Sequence, residues 1–300
     1  MKIATAEVED GKAESIRDRI SAYIELTKPR IAFMLVLTAA AGFFLGSKQS
    51  LDYALFVNAM IGIAFLAFGV ATLNQWLERH TDRLMERTAQ RPLPTGRLSP
   101  QAALLFGTLQ CLVAEVYLTI LVNPLTAFLG LIVIVGYVLL YTPLKTRTTI
   151  STAIGAIPGA MPPLMGWTAA ANEISIGAWS LFVLLFLWQF PHFFAIAWVY
   201  REDYAKAGIL MLPVVEADGK LTARQIVLFA MMLVPVSLAP FFFGFAGFIY
   251  LIGAALLGIW FLFESYRAAR GRTKEMARRL MFVTILYLPL IFGLMVVDYR

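Results

Sequence analysis

The chain has 300 residues, 60% of them hydrophobic and only 15% charged, with a net charge of +6 and a mean hydropathy of +0.75. So few charges cannot cover the surface of a water-soluble domain of this size, which excludes a soluble enzyme or a nucleic-acid-binding module and makes the chain an integral membrane protein. The single cysteine, Cys111, lies in an apolar run, so no internal disulfide is available and the redox compartment cannot be read from it.

From the N-terminus, residues 1–30 are polar and lack the apolar core of a cleavable signal peptide. Ile16, Ile20 and Ile24 fall four apart, the spacing of a short helix lying on a membrane surface, preceded by a solvated tail over 1–14. We therefore expect a cytoplasmic tail with an interfacial helix at 1–23 and a membrane domain over 24–300. A membrane helix needs about 20 apolar residues. Nine segments qualify: 31–48, 53–77, 101–121, 124–141, 149–170, 176–199, 224–244, 246–265 and 280–297.

The basic residues test that count. With the N-terminus inside, every Lys and Arg falls on the inner side except Lys48 and Arg300. A missed or invented span in the middle of the chain would destroy this asymmetry, which follows the positive-inside rule. The expected fold is thus all-α and multi-pass, with nine helices, the N-terminus in the cytoplasm and the C-terminus outside. The two longest inner loops, at 78–100 and 200–223, hold most of the polar chemistry.

The first of these loops continues an apolar helix into a block of charge. Asn74, Glu78, Asp82 and Glu86 recur every four residues, and so do Arg79, Arg83, Arg87 and Arg91. On a continuing helix these are two neighbouring stripes, each repulsive by itself. A divalent cation would relieve the acidic stripe and a polyanion the basic one; a metal with a diphosphate satisfies both. Ion pairs between the stripes, Arg79 with Asp82 and Arg83 with Glu86, are the structural alternative and are worth only a few tenths of a kcal/mol each.

Tyr141 and Lys145 follow at the inner end of the fourth span, with Arg147 beyond. A lysine there can meet a phosphate and a tyrosine face can shield a cation, although an interfacial Tyr flanked by Lys and Arg is also an ordinary topology signal. In the fifth span Pro158, Pro162 and Pro163 predict a bend, and Gly155 and Gly159 close packing. Glu115 is a lone carboxyl deep in a span, either protonated and hydrogen-bonded or lining a cavity. The sixth span carries Gln189, Pro191 and His192, and the loop after it Tyr200, Asp203 and Tyr204. His192, Tyr200 and Asp203 share a face if the helix continues. A membrane histidine either faces a cavity or bonds a neighbouring helix.

These segments carry a resemblance. Asn74-x3-Glu78-x3-Asp82 with Met85-x-Arg87-Thr88-x2-Arg91-Pro92-Leu93 resembles the first acidic motif of UbiA-type intramembrane prenyltransferases. The Tyr141-Thr-x-x-Leu-Lys145 element, Trp188-Gln-x-Pro-His-Phe, Asp203-Tyr-x-x-Ala-Gly-Ile-x-Met-Leu-Pro213 and Thr27-Lys28-Pro29-Arg30 are similar to the haem O synthase branch of that family. The resemblance spans residues 24–298 and implies a UbiA-type helical bundle in a bacterial plasma (inner) membrane, with its active site toward the cytoplasm. It implies transfer of a farnesyl group from farnesyl diphosphate to a vinyl group of haem b, with Mg2+ as cofactor and haem A synthase or terminal oxidase assembly proteins as candidate partners. Other acceptors, such as a quinone, and solute transport are the competing readings.

On that resemblance Asn74, Glu78 and Asp82 hold the metal, and Arg87, Arg91, Lys145 and Arg147 hold the diphosphate. Tyr141, Gln189, His192, Tyr200 and Tyr204 face the prenyl chain or haem, and Lys145, His192 and Asp203 join the metal ligands as catalytic residues. His192 is expected to orient haem as an axial ligand or propionate partner, or to act as a base toward water. Two departures stand out. Position 78 is glutamate where relatives often carry aspartate, and Glu202-Asp203 stands in place of a fuller second acidic motif, so a second Mg2+ is not carried over.

Overall fold

The computed structural model describes residues 16–47 and 50–300. The tail expected at 1–14, and Lys2, Lys12 and Lys48 of the charge argument, lie outside the described residues. Helix α1 (Ile16–Leu26) leaves Ile16, Ile20 and Ile24 exposed on one side and buries Ala22 and Leu26 on the other. The buried side packs on Leu93, Leu98 and Ala103. Gln75 Nε2 donates to the α1 carbonyls of Glu25 (3.3 Å) and Leu26 (2.9 Å), satisfying groups that a helix end leaves free.

Lys28, in the left-handed region at φ 48°, turns the chain into α2 (Pro29–Gly46). Proline at the first helical position costs no hydrogen bond there. Helix α3 (Tyr53–Asp82) is capped by Asp52, whose carboxylate accepts from Leu55 N at 3.0 Å. Its 30 residues make a rod about 45 Å long, against a hydrocarbon core of about 30 Å, so one end must project toward the headgroups. Helices α4 (Pro100–Leu121) and α5 (Pro124–Ile134) follow, capped by Ser99 and Asn123. A π-helical segment, Val135–Tyr141, then runs into the short α6 (Thr142–Leu144).

Helices α7 (Ser151–Gly159) and α8 (Met161–Ala171) lie where one span was expected. Pro158, Pro162 and Pro163 crowd the junction at Ala160, and proline both lacks an N–H and clashes with the preceding turn, so the helix divides. The remainder is α9 (Ile176–Val199), α10 (Arg201–Lys206), α11 (Leu212–Val215), α12 (Lys220–Phe242), α13 (Phe248–Gly271) and α14 (Lys274–Val297). Among the described residues eight helices are long and apolar enough to cross a membrane. Where the ninth span was expected stand α7 and α8, of 9 and 11 residues, neither long enough to cross by itself.

The bundle is apolar outside as well as inside. Along α4, Leu105, Leu109, Leu112, Val116 and Ile120 form an exposed stripe at helical spacing, which suits lipid rather than water. The interior is built around α8, buried continuously from Met161 to Ala169, and α9. Helix α14 packs on α9, α13 and α2, closing the ring between the first and last long helices.

Where lipid already solvates apolar side chains, close helix approach through small residues drives association. Gly42 of α2 lies against the backbone of Pro163, and Gly166 of α8 lies against Ala39 O, so a Cβ at either would overlap main chain. Gly166→Val should therefore push α2 and α8 apart and destabilise the fold by about 1–3 kcal/mol, as overpacking does elsewhere. Thermal unfolding in detergent measures this; an unchanged transition would refute the contact.

Candidate active site

The projecting end of α3 presents Asn74, Glu78 and Asp82 on one face, as their spacing predicts. Asn74 and Asp82 are each only 1% exposed. Each of the three is held by a cation from a different segment. Lys28 Nζ donates to Asn74 Oδ1 at 2.8 Å, Lys145 Nζ to Glu78 Oε1 at 2.6 Å, and Arg91 Nη1 to Asp82 Oδ2 at 2.7 Å. Asn74 Nδ2 donates to Thr142 Oγ1 at 3.1 Å, and that hydroxyl donates to Tyr137 O at 2.8 Å.

Helix α3 ends at Asp82, and residues 83–98 form a compact series of turns. The expected helical stripes therefore stop there. Glu86, Arg87 and Arg91 leave the helix, because Pro92, Pro94 and the positive-φ Gly96 favour turns. Buried Met85, Leu93 and Leu98 anchor the loop, and Thr88 Oγ1 donates to Asp82 O at 2.8 Å. Neither local ion pair forms: Arg79 donates to Trp76 O at 2.7 Å and Arg83 to Pro94 O at 3.3 Å. Arg91 instead reaches back to Asp82.

The π-helical segment re-aims the chain leading to Lys145. Lys145 Nζ lies 4.4 Å from the centre of the Tyr141 ring, which meets Tyr137 edge-on at 4.9 Å. Gly155 makes room for that ring, since a Cβ there would sit 2.5 Å from Tyr141 Cδ2. Burial by itself would lower the Lys145 pKa, but the Glu78 carboxylate outweighs it and holds the ammonium well above the usual lysine value. Lys28 goes the other way: burial first, then the positive Arg91, pull it down to about 7. A polyanion bound among these cations would restore its charge.

The second loop closes over the first. Arg87 Cζ lies over the rings of Tyr200 (5.1 Å) and Tyr204 (5.9 Å), and Leu210 N donates to Lys145 O at 2.7 Å. Helix α9 ends at Val199 and α10 begins at Arg201, so Tyr200 and Asp203 do not continue the helical face of His192. Asp203 is half-buried, with Lys206 at 4.0 Å. Arg147 is exposed at the rim.

Deeper in α9, buried Gln189 donates to Ala156 O (3.0 Å) and Leu185 O (3.2 Å), bridging α9 to α7. His192 Nδ1 lies 2.7 Å from Thr284 Oγ1 of α14. Glu115 points toward Gly130 of α5, and its buried Oε1 has no hydrogen-bond partner.

Thus Asn74, Glu78, Asp82, Arg91, Lys145 and Tyr141 form one cluster, with Arg87, Tyr200 and Tyr204 beside it and His192 and Gln189 below. Sequence reasoning gave Lys28, Tyr137 and Thr142 no role. Thr27-Lys28-Pro29 enters the sequence reading only as part of a motif, and the signal for Tyr137 is its place one turn before Tyr141.

The donors suit Mg2+. They are hard oxygens, and Asp82 Oδ1 is buried without a partner, an expensive arrangement that a cation would relieve. No group of three or more His, Cys, Asp or Glu side chains that could hold a metal occurs among the described residues. The protein's share of such a shell would be two carboxylates and an amide, which Mg2+ commonly completes with substrate phosphates.

Hard-oxygen donors and cations gathered at one end of a lipid-facing helical bundle suit a metal-bound polyanion held at the edge of a membrane. The chain belongs to the UbiA prenyltransferase family, whose model matches residues 35–286. It is 49% identical over 285 residues to the protoheme IX farnesyltransferase of Solibacter usitatus, covering 92% of this chain and 98% of that protein. It is 44% identical over 299 residues to the protein of the same name from Koribacter versatilis, covering 96% and 95%. In fold it is similar to the solved digeranylgeranylglyceryl phosphate synthase, with a TM-score of 0.79 at 18% identity over 94% of this chain and 98% of that one. It is also similar to a UbiA homologue from Archaeoglobus fulgidus bound to DMAPP and Mg2+, with a TM-score of 0.64 at 17% identity over 91% and 98%.

The Glu78–Lys145 pair gives a direct test of the electrostatics. Lys145→Met should strand a nearly buried carboxylate and cost about 3 kcal/mol, the usual penalty for breaking a buried pair from one side. Adding Glu78→Gln should recover most of that loss in thermal unfolding. Additive losses from the two substitutions would refute the coupling.

Proposed function

We propose that this chain transfers the farnesyl group of farnesyl diphosphate to a vinyl group of haem b, releasing diphosphate and giving haem O. The observation that carries this reading is the interleaving of α3 oxygens with Lys28, Lys145 and Arg91 around the unpartnered Asp82 Oδ1. With all five side chains ionised, Lys28, Lys145 and Arg91 exceed Glu78 and Asp82 by one positive charge. A divalent cation with a triply charged prenyl diphosphate brings the buried site to neutrality, as its low dielectric requires. The acceptor is taken from the protoheme IX farnesyltransferases to which the chain is similar.

Asn74, Glu78 and Asp82 would hold Mg2+, which when bound neutralises charge on the leaving diphosphate. Lys28, Lys145 and Arg91 turn from the α3 oxygens toward the phosphates and stabilise the departing group. Arg87 and Arg147 stand at the rim, where they draw the anion in. The allylic C–O bond breaks with its electron pair leaving on diphosphate. Tyr141 and Tyr137 present ring faces to the prenyl cation and keep water away from it. The vinyl π pair forms the new C–C bond. Water then adds at the carbon next to the macrocycle and loses a proton, leaving the hydroxyethylfarnesyl substituent. Asp203 is placed in the second loop as the acceptor-side carboxylate. Tyr200, Tyr204, His192 and Gln189 form or brace the acceptor side.

We place the site at the cytoplasmic face of a bacterial inner membrane, with nine crossings and the C-terminus outside. What supports the count is the meeting of helix ends. Lys28 at the start of α2, Asp82 at the end of α3 and Lys145 after α6 share one site, and Tyr200 at the end of α9 joins it through Arg87. On this reading the chain crosses and returns between Lys145 and Tyr200. Helix α9 is the return, so α7 and α8 together are the outward crossing. Three more crossings carry the C-terminus to the far side, in keeping with Tyr299 OH donating to Leu45 O (3.0 Å) near the far end of α2. The product suits hand-over to haem A synthase or a terminal oxidase assembly protein at that membrane.

Asp82→Asn keeps the shape and an oxygen that can accept from Arg91, but removes the charge. Expressed in cells that make haem b, this variant should accumulate folded at the normal level and give on the order of 100-fold less haem O, the loss expected when one electrostatic contact to the reacting group is removed. Mass spectrometry of extracted haems reads the outcome. Normal haem O from the variant would overturn the metal assignment, and no mass gain on haem b with the unaltered chain would overturn the reaction.

A further inference from the structure

The acceptor side contains an imidazole whose protonation state the hydrogen bonds define. His192 lies eight residues before Tyr200 and therefore about 12 Å deeper along α9. It is half-buried, and a polar ring at that depth is costly unless it has a task. Its Nδ1 lies 2.7 Å from Thr284 Oγ1. That hydroxyl is also 2.6 Å from Met281 O, and a carbonyl only accepts, so the single hydroxyl proton is directed to Met281. Thr284 Oγ1 can then only accept from the ring. In the neutral ring this puts the one proton of His192 on Nδ1 and leaves a bare lone pair on Nε2.

The ring is also fixed in orientation. Trp188 stacks on it at 4.8 Å with an interplanar angle of 17°, and Trp188 Nε1 donates to Thr284 O at 2.8 Å. One residue of α14, itself fully buried, thus holds both rings through its hydroxyl and its carbonyl. Among the described residues no group hydrogen-bonds Nε2. Fixing one nitrogen of an imidazole by a hydrogen bond while the other stays free is how proteins prepare a histidine to bind a metal.

We infer that His192 Nε2 binds the iron of the haem substrate as an axial ligand. This deepens the proposed function and rests on it. A propionate contact would need a donor, and neutral Nε2 offers none. Ligation stands the imidazole upright on the macrocycle and anchors haem below the prenyl diphosphate site, so that a vinyl edge can face the mouth where Tyr200 and Tyr204 stand. No second imidazole is at hand, since the only other histidine, His80, is exposed near the end of α3. The complex should carry one histidine ligand and leave the opposite iron position open to small ligands such as carbon monoxide.

The test uses the full chain in lipid nanodiscs, titrated with haem b without prenyl diphosphate. Absorption and electron paramagnetic resonance of the ferric form should show single-histidine ligation. His192→Gly should lose that signature and regain it on addition of free imidazole, while still binding a non-hydrolysable farnesyl diphosphate analogue, which shows that it is folded. Thr284→Val should keep the ligation but weaken haem binding about tenfold, the loss typical when a histidine's orienting partner is removed. Identical haem spectra for the unaltered chain and His192→Gly, or no haem binding by the unaltered chain, would overturn the inference. Haem O formation by the unaltered chain is scored separately by mass, so the ligand assignment can fail while the reaction stands.

Discussion

Everything at the inner face of this protein depends on burying charge beside lipid. Glu78 and Asp82 cannot stay ionised there without partners, and neither can Lys28, Lys145 or Arg91. Glu78 and Asp82 are each neutralised by a cation from a distant segment, while Lys28 has only the neutral amide of Asn74 and its pKa is pulled down to about 7. Several irregular features follow. Lys28 occupies the left-handed region, at a cost of roughly 1–2 kcal/mol, because that turn delivers its ammonium to Asn74. The tight turns of residues 83–98 bring Arg91 back to Asp82. The π-helical segment Val135–Tyr141 widens the helix where Tyr137, Tyr141 and Lys145 converge, as such segments often do at functional sites.

The length of α3 sets the depth of the chemistry. A 30-residue helix overshoots the hydrocarbon core, and the overshoot carries the polar residues. A diphosphate can then rest at the headgroup level with its prenyl tail among apolar side chains. The Tyr141 ring lies beside the Lys145–Glu78 pair with Tyr137 edge-on to it, so on the proposed reaction a carbocation formed there would meet π faces before it meets water.

Much of this could be read from the residues. The apolar segments and the bias of Lys and Arg gave the bundle, and the four-residue repeat from Asn74 to Asp82 gave the oxygen face, because both rest on local periodicity. The prolines at 158, 162 and 163 announced a bend and produced a full division. What local pattern could not give was tertiary. The arginines at 83, 87 and 91 fit a helical stripe as well as they fit turns, and only the return of Arg91 to Asp82 decides between them. Lys28 and Asn74 are 46 residues apart, so nothing in the spacing of either predicts their contact. The π segment has no compositional mark. Gln189 reads as a cavity residue because it is polar and intramembrane, yet its amide is used between α9 and α7.

The two halves of the site are built differently, and the contrast has a physical basis. The oxygen and cation cluster draws on four chain segments with flexible side chains, which suits a ligand that arrives and leaves as a polyanion and must be gripped only in between. The ring pair of His192 and Trp188 sits on one helix and is pinned by one buried threonine, which suits a flat, rigid partner. Between them stand Arg87 over Tyr200 and Tyr204, and the main-chain bond from Leu210 to Lys145. The second loop thus touches Lys145 through one main-chain hydrogen bond and the first loop through the two ring faces under Arg87, so the anion side and the ring pair share one border in the polar loops rather than in the helices.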